Sequence, residues 1–357
     1  MNLNSYIVKH NRIKDFLNKN KADAIVFIST QNTFWISNIK TSDGIVLVTP
    51  SKIFLLVDLR EYEYCKKYVQ YCEVVLFKQI ADFKKIINDL NIKTLLFEKD
   101  YLTLKQKEQY LDSLKTVNSI PVDTISLRSI KTIDEIEVLQ QSANIAVNAI
   151  EDVKKWIKVG MTEIDVPQHI RRYMINQGAS NISFELIVAF GKNTAIPHHQ
   201  PTNTRLQNNQ MVTCDIGCIY LGYCSDITRT FFVGTPSCEE QEMYNLVLSA
   251  QKIGLENVKS QIYTNQLDGI VRSYIAKNKK WGNLFTHSLG HGVGIEIHEL
   301  PFVSKRTNTI LEENMVITIE PGVYQPGFNG VRIEDTVVVT KNGCINLTAK
   351  ASKKFTI

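Results

Sequence analysis

Four carboxylates stand inside segments that otherwise read as buried strands. Asp215 lies in MVTCDIG, Asp226 opens DITRTFFV, Glu320 sits in MVITIEPG and Glu334 in VRIEDTVVV. An unpaired buried carboxylate is costly to ionise, so each needs a compensating partner. Asp215 and Asp226 are separated by a stretch containing Tyr220, Gly222 and Tyr223 that can turn a hairpin. Two antiparallel strands joined there aim both carboxylates at one face of the sheet. Glu320 and Glu334 repeat the design across GVYQPGFNG, whose Pro326, Gly327, Asn329 and Gly330 are turn formers. Four carboxylates converging from two hairpins would repel one another, and some would stay protonated at neutral pH. Two divalent cations cancel that charge.

Histidine concentrates in the same region. Five of the seven histidines fall between positions 198 and 298, and HSLGHGVG (287–294) places His287 and His291 four apart among glycines that permit close backbone approach. An oxygen-rich donor set with one imidazole suits Mn²⁺, and also Co²⁺, Fe²⁺ or Zn²⁺, better than copper or a thiolate site. Two such ions ~3.5–4 Å apart can share a water and lower its pKa. Each element alone has an ordinary explanation, since a strand-end acid usually caps a turn and a histidine beside glycine is usually a satisfied polar group. The glycines at 290, 292 and 294 do not make GxGxxG, and His298-Glu299 is followed by Leu-Pro-Phe, so HExxH is absent. The joint order of five potential ligands in strand context outweighs the ordinary explanations.

The chain reads as two domains, 1–125 and 126–357, with a boundary near 122–131. In the first, the short apolar runs 23–29, 44–49, 52–58, 73–77 and 94–98 look like buried strands, with helical patterns at 81–90 and 103–114. That alternation predicts an α/β domain with a mixed sheet, and it contains no catalytic constellation. Thr132 and Glu135 then form a capping-box pattern ahead of helical spacing through Val153. A second helix runs from Thr162 to near Gly178. Strands are expected at 184–191, 211–220 and 227–234, helices at about 239–258 and 264–278, and further strands at 315–324 and 331–340. The order helix, helix, strands occurs twice, predicting two similar halves.

Composition narrows the class. With 357 residues, 44% hydrophobic and 22% charged, the chain is of the globular type. The net charge of +5 is modest, and basic runs such as KHNRIK (9–14) and KNKK (277–280) read as solvated faces, so no nucleic-acid partner is expected. No apolar run approaches the ~18 residues of a membrane helix, and the N-terminal segment lacks a signal-peptide core, so neither membrane nor export is expected. Seven scattered cysteines argue against a disulfide framework and fit the cytoplasm. Cys214, Cys218 and Cys224 lack the CxxC knuckle of structural zinc.

The segments DIGCIYLGYCSDITRTF (215–231), HSLGHGVGIEIHE (287–299), MVITIEPGVY (315–324) and VRIEDTVVV (331–339) resemble the pita-bread metallopeptidases, the group containing methionine aminopeptidase, aminopeptidase P and prolidase. The resemblance covers roughly 130–357. It implies an N-terminal α/β domain followed by a C-terminal α+β pita-bread (creatinase/aminopeptidase) domain. It makes Asp215, Asp226, His291, Glu320 and Glu334 the ligands of two metal ions, with Asp226 and Glu334 bridging, and gives Glu320 the general-base role. His198 falls at the position of the histidine that assists the tetrahedral intermediate, and His298 would approach the substrate carbonyl or proline. His287 and Arg332 join the substrate-binding set, Arg332 alternatively orienting a metal-site acid. His199 competes with His198 for its role, and opposite side-chain directions in an extended segment leave room for only one of them. DITRT and the N-terminal domain favour proline-specific members. The resemblance therefore implies a homodimeric Xaa-Pro aminopeptidase acting on peptides with proline second. A dipeptide-restricted prolidase and a noncatalytic scaffold are the alternatives.

Overall fold

The apolar runs of the N-terminal part become a six-stranded mixed sheet in the computed structural model, which describes residues 2–357. The described residues form two units, one ending at Arg128 and one spanning Ser129–Ile357. In the first unit, strands Ala24–Phe27, Ile45–Val48, Ile53–Val57, Glu73–Leu76, Thr94–Glu98 and Asn118–Val122 lie in the spatial order fourth, third, second, first, fifth, sixth. The first three pair antiparallel and the remaining neighbours pair parallel. This is the mixed α/β sheet anticipated. The sixth strand, NSIPV, escaped the sequence reading because it carries Asn, Ser and Pro. It lies at the sheet edge, where Pro121 withholds a donor that no neighbour needs.

One of the basic runs differs from expectation. KHNRIK lies in the helix Leu3–Lys19, whose buried stripe is Ser5, Lys9, Ile13 and Leu17. Helical periodicity puts Lys9 on that stripe, 3% exposed, with its ammonium donating to the Trp35 carbonyl at 3.0 Å. Arg12 likewise donates to the Leu127 carbonyl at 2.7 Å. The run is a half-buried face, not a solvated one.

In the second unit, the helix pair Ile133–Trp156 and Asp165–Asn176 precedes a three-stranded sheet of Ile187–Phe190, Gln210–Ile216 and Ile227–Val233. The pair Cys238–Asn257 and Thr264–Ala276 precedes a five-stranded sheet whose inner strands are Gly290–Gly292, Val316–Ile319 and Asp335–Val339. Each half has its own apolar core. The first helix begins with the anticipated capping box, Thr132 and Glu135 each satisfying the other's backbone amide. Among the described residues no helix is long and apolar enough to cross a membrane.

Three of the strands expected to be continuous are broken. Gln210–Ile216 stops before Cys218–Tyr220, Val316–Ile319 before Gly322–Tyr324, and Gly330–Arg332 before Asp335–Val339. The breaks fall at Gly217, at Glu320-Pro321 and at Ile333-Glu334. A Cβ at Gly217 would meet the Ser225 carbonyl at 1.9 Å, so only glycine allows that crossing. Pro321 has no N–H for a ladder. Asp226, Glu320 and Glu334 thus sit where the backbone leaves one pairing for another, and Asp215 lies two residues before such a break. The Glu334 amide, for example, donates across the halves to the Thr228 carbonyl at 3.2 Å.

The first unit depends on a buried carboxyl. Glu98 ends its strand and accepts from the Ile28 and Ser29 amides at 2.6 and 2.8 Å, the Ser29 hydroxyl at 2.6 Å and the Asn32 side chain at 2.5 Å. Removing it leaves buried donors unmatched. Glu98→Ala should lower unfolding free energy by about 2–3 kcal/mol, read by urea denaturation.

Candidate active site

The two broken hairpins meet along a seam between the halves, and a cleft of about 1030 Å³ opens there. Asp215, Asp226, His291, Glu320 and Glu334 all line it. The first hairpin turns at Leu221-Gly222, both with positive φ (46° and 88°), between paired Tyr220 and Tyr223. Glycine again decides how His291 enters. A Cβ at Gly290 would lie 2.0 Å from the Thr318 carbonyl, and one at Gly292 would lie 2.4 Å from the Leu300 carbonyl. The strand carrying His291 can therefore fit between its neighbours only with glycine on both sides.

Asp226, His291 and Glu334 form the tightest group, each offering an atom within 4.8 Å of the others. His291 Nε2 lies 3.5 Å from Asp226 Oδ2 and 3.5 Å from Glu320 Oε1. Its Nδ1 faces the Gly292 carbonyl at 3.0 Å, leaving Nε2 directed at the carboxylates. Glu334 accepts from the Thr228 hydroxyl at 2.7 Å. Asp215 accepts from Arg332 Nη2 at 2.7 Å through Oδ2, while its Oδ1 is buried without a hydrogen-bond partner.

Burial, then the neighbouring carboxylates, push Asp226 and Glu334 well above the usual carboxylate range. Burial raises Glu320 to about 8, with Arg332 opposing the rise. Burial lowers His291 to about 4, and the adjacent His298, whose ring centroid is 4.4 Å away, adds to it. The cluster resists holding its negative charge alone. An orphaned buried carboxylate oxygen, an imidazole disfavoured as a cation and mutually repelling acids fit divalent ions as the missing positive charge.

His198, His287, His298 and Arg332 line the same cleft. His198 and His298 are exposed to it, and burial holds His298 below the ordinary histidine range. His287 is committed to the wall, with Nδ1 facing the Ser288 carbonyl at 2.8 Å and Nε2 the Tyr324 hydroxyl at 2.9 Å; burial takes it to about 4. Arg332 is 4% exposed and bonds Asp215, the Tyr324 hydroxyl at 2.8 Å and the Pro197 carbonyl at 3.3 Å.

The adjacent histidines do not lie in an extended segment, as the sequence reading assumed. The His199 amide donates to the Ile196 carbonyl at 3.2 Å, closing a turn with Pro197 and His198 at its corners. Pro197 presets the first corner. His199 is buried with Nε2 2.9 Å from Glu163 Oε2, while His198 faces out. Several contributors were not singled out from sequence: Glu163, Thr228, Tyr324, and the cleft-lining Arg171, Phe184 and Phe302. Tyr324 and Thr228 belong to the quoted motif segments, but nothing local distinguishes them from ordinary strand residues.

Comparison with known proteins gives matches over both units. Metallopeptidase family M24 matches residues 137–341, and the creatinase/prolidase N-terminal domain matches residues 9–130. The Xaa-Pro dipeptidase of Pyrococcus horikoshii is 37% identical over 345 residues, covering 95% of this chain and 96% of that protein. Among solved structures, the Xaa-Pro dipeptidase from Bacillus anthracis has a TM-score of 0.94 at 35% identity, covering 99% of this chain and 100% of the other. The X-Pro aminopeptidase from Thermotoga maritima has a TM-score of 0.89 at 32% identity, covering 94% and 98%. With the segments that carry the carboxylate cluster inside the matched region, the chain belongs to metallopeptidase family M24 and carries a creatinase/prolidase N-terminal domain.

Proposed function

We propose that the chain is a metal-dependent Xaa-Pro aminopeptidase, hydrolysing the bond between an N-terminal residue and a following proline. The observation that carries the reading is the convergence of Asp215, Asp226, His291, Glu320 and Glu334 in one cleft, with Asp215 Oδ1 lacking a partner. Those five residues would hold two divalent ions, Mn²⁺ foremost and Co²⁺, Fe²⁺ or Zn²⁺ as alternatives, with Asp226 and Glu334 at the centre of the set. When bound, such ions supply Lewis acidity and a water of lowered pKa.

The chain's own residues do the rest. Glu320 accepts the proton of the attacking water and passes it to the leaving proline nitrogen. His198 and His298, exposed on the cleft rim, donate hydrogen bonds to the carbonyl oxygen as charge develops on it. Arg332 holds Asp215 in place from behind. The free α-amine of the substrate is attracted to the carboxylate cluster, which restricts cleavage to the N-terminus.

Peptide length follows from the cations. Among the described residues lining the cleft, these are Arg332, committed to Asp215, and Arg171 on the exposed rim. With Arg332, the buried cation of this pair, already spent on Asp215, a peptide continuing beyond proline fits best. Arg171 favours the second reading, a dipeptidase, because its guanidinium could receive the carboxylate of Xaa-Pro. The complete donor set stands against a noncatalytic scaffold. All seven cysteines are free, which fits cytoplasmic residence, and the homodimer implied by the family resemblance belongs to the same proposal.

The test is a peptide panel. Chelated enzyme should be inactive and regain activity with Mn²⁺, cleaving Ala-Pro-Ala but not Ala-Ala-Ala. Faster cleavage of Ala-Pro than of Ala-Pro-Ala, abolished by Arg171→Met, would replace the aminopeptidase reading with the dipeptidase one. Asp226→Asn and Glu334→Gln should each lower kcat by at least about a hundredfold while circular dichroism stays unchanged. Normal kinetics in either variant would remove the metal assignment. Mn²⁺ at a hundredfold excess over its Kd should stabilise the wild type by about 2.7 kcal/mol, and neither variant to that extent.

A further inference from the structure

Glu163 is fully buried and spends its carboxyl on one loop. Its Oε1 accepts from the Phe190 amide at 2.8 Å and the Asn193 side chain at 2.9 Å. Its Oε2 accepts from the Thr202 amide at 3.0 Å, the Thr202 hydroxyl at 2.7 Å and His199 Nε2 at 2.9 Å. All these partners belong to residues 190–202, the segment that carries His198. Glu163 itself is fixed from below. Thr162 and Asp165 cap the helix Asp165–Asn176 reciprocally, and the Glu163 amide donates to the Thr204 carbonyl at 3.0 Å. Burial opposes a charge on Glu163, but the bonds from His199, Asn193, Thr202 and the Phe190 amide outweigh it and hold the carboxyl below its ordinary range.

The two neighbours of His198 are therefore tied to different parts of the unit. The Pro197 carbonyl accepts from Arg332, which also grips Asp215, and the His199 ring is bound to Glu163. Between these ties the exposed His198 faces the cleft, while Pro197 and the buried His199 form part of its wall. Among the described residues the His198 side chain has no hydrogen bond that would fix the loop, so its place depends on its neighbours.

We infer that His199 is a positioning residue, clamped to Glu163 so that the turn presents His198 to the scissile carbonyl. The inference rests on the proposed peptidase reading, and it assigns a function to the second member of the histidine pair. Among the described residues the His199 ring is hydrogen-bonded to Glu163 and not to the carboxylate cluster; it acts through His198. A misplacement of His198 by about an ångström is enough to lower turnover by up to about a hundredfold.

The test is a double-mutant cycle on Mn²⁺-loaded enzyme with Ala-Pro-Ala, joined to amide hydrogen exchange over 190–204. His199→Ala should lower kcat by about ten- to a hundredfold with KM little changed and metal content intact. In a His198→Ala background the same substitution should cost nothing further. His199→Gln, which keeps a side-chain N–H for Glu163, should recover most of the loss. Exchange across 196–202 should accelerate in His199→Ala while the helix Ile133–Trp156 is unaffected. An equal loss in both backgrounds, a change confined to KM, or unchanged exchange would overturn the inference. If the wild type cleaves no proline peptide, the peptidase reading fails, and the exchange measurement alone decides whether the clamp exists.

Discussion

Everything at the seam follows from the repulsion among carboxylates that the fold buries together. Burial and mutual charge raise Asp226 and Glu334 well above their usual range, and burial raises Glu320 to about 8. A core built for stability alone would not collect them, since apolar residues of similar volume avoid the penalty. The arrangement makes sense as a receptor for positive charge, provided by ions and by the amine of a peptide.

The surrounding structure keeps those side chains from relaxing apart. Arg229, 1% exposed, donates to the Glu334 carbonyl at 2.5 Å and to Asp335 Oδ1 at 2.7 Å. Asp335 also receives Gln251, Asn346, Thr348 and Lys353. Burial works against its charge, but Arg229 and Lys353 outweigh that and hold it well below the usual range. Adjacent acids therefore have opposite electrostatic settings: Asp335 is neutralised by fixed cations, while Glu334 is left for the cleft. The loop around His298 is held similarly, by the buried Lys131–Glu299 pair at 3.1 Å and by the Ile295 and Glu296 amides on Glu299. Buried ionic networks of this kind contribute little net stability but fix geometry.

Much of this was legible in the sequence because the anomaly was local. An acid within MVTCDIG or VRIEDTVVV contradicts strand packing wherever it occurs, and the glycines around His291 signal close approach. The N-terminal strands were equally plain from their apolar runs. Less legible were features that depend on distant partners. NSIPV becomes a strand only because a sheet edge accepts Pro121, and Lys9 is buried only because the Trp35 carbonyl is there to receive it. Glu334 and Asp335 look alike in the sequence, and only the distant Arg229 and Lys353, both on Asp335, distinguish them. The strand breaks at Gly217, Glu320 and Glu334 were missed because an apolar run shows period, not which neighbour a backbone amide will choose. His199 was ambiguous for the same reason, its partner Glu163 lying 36 positions earlier.

The central claim is that the paired hairpins and His291 together make a binding site for cations, not merely a buried acidic core. Equilibrium dialysis of the chelated chain against Mn²⁺, followed by elemental analysis, tests it most directly. The account predicts two ions per chain at saturation. A chain that takes up no ion, or takes up as much after His291, Asp226 and Glu334 are all replaced, would contradict it.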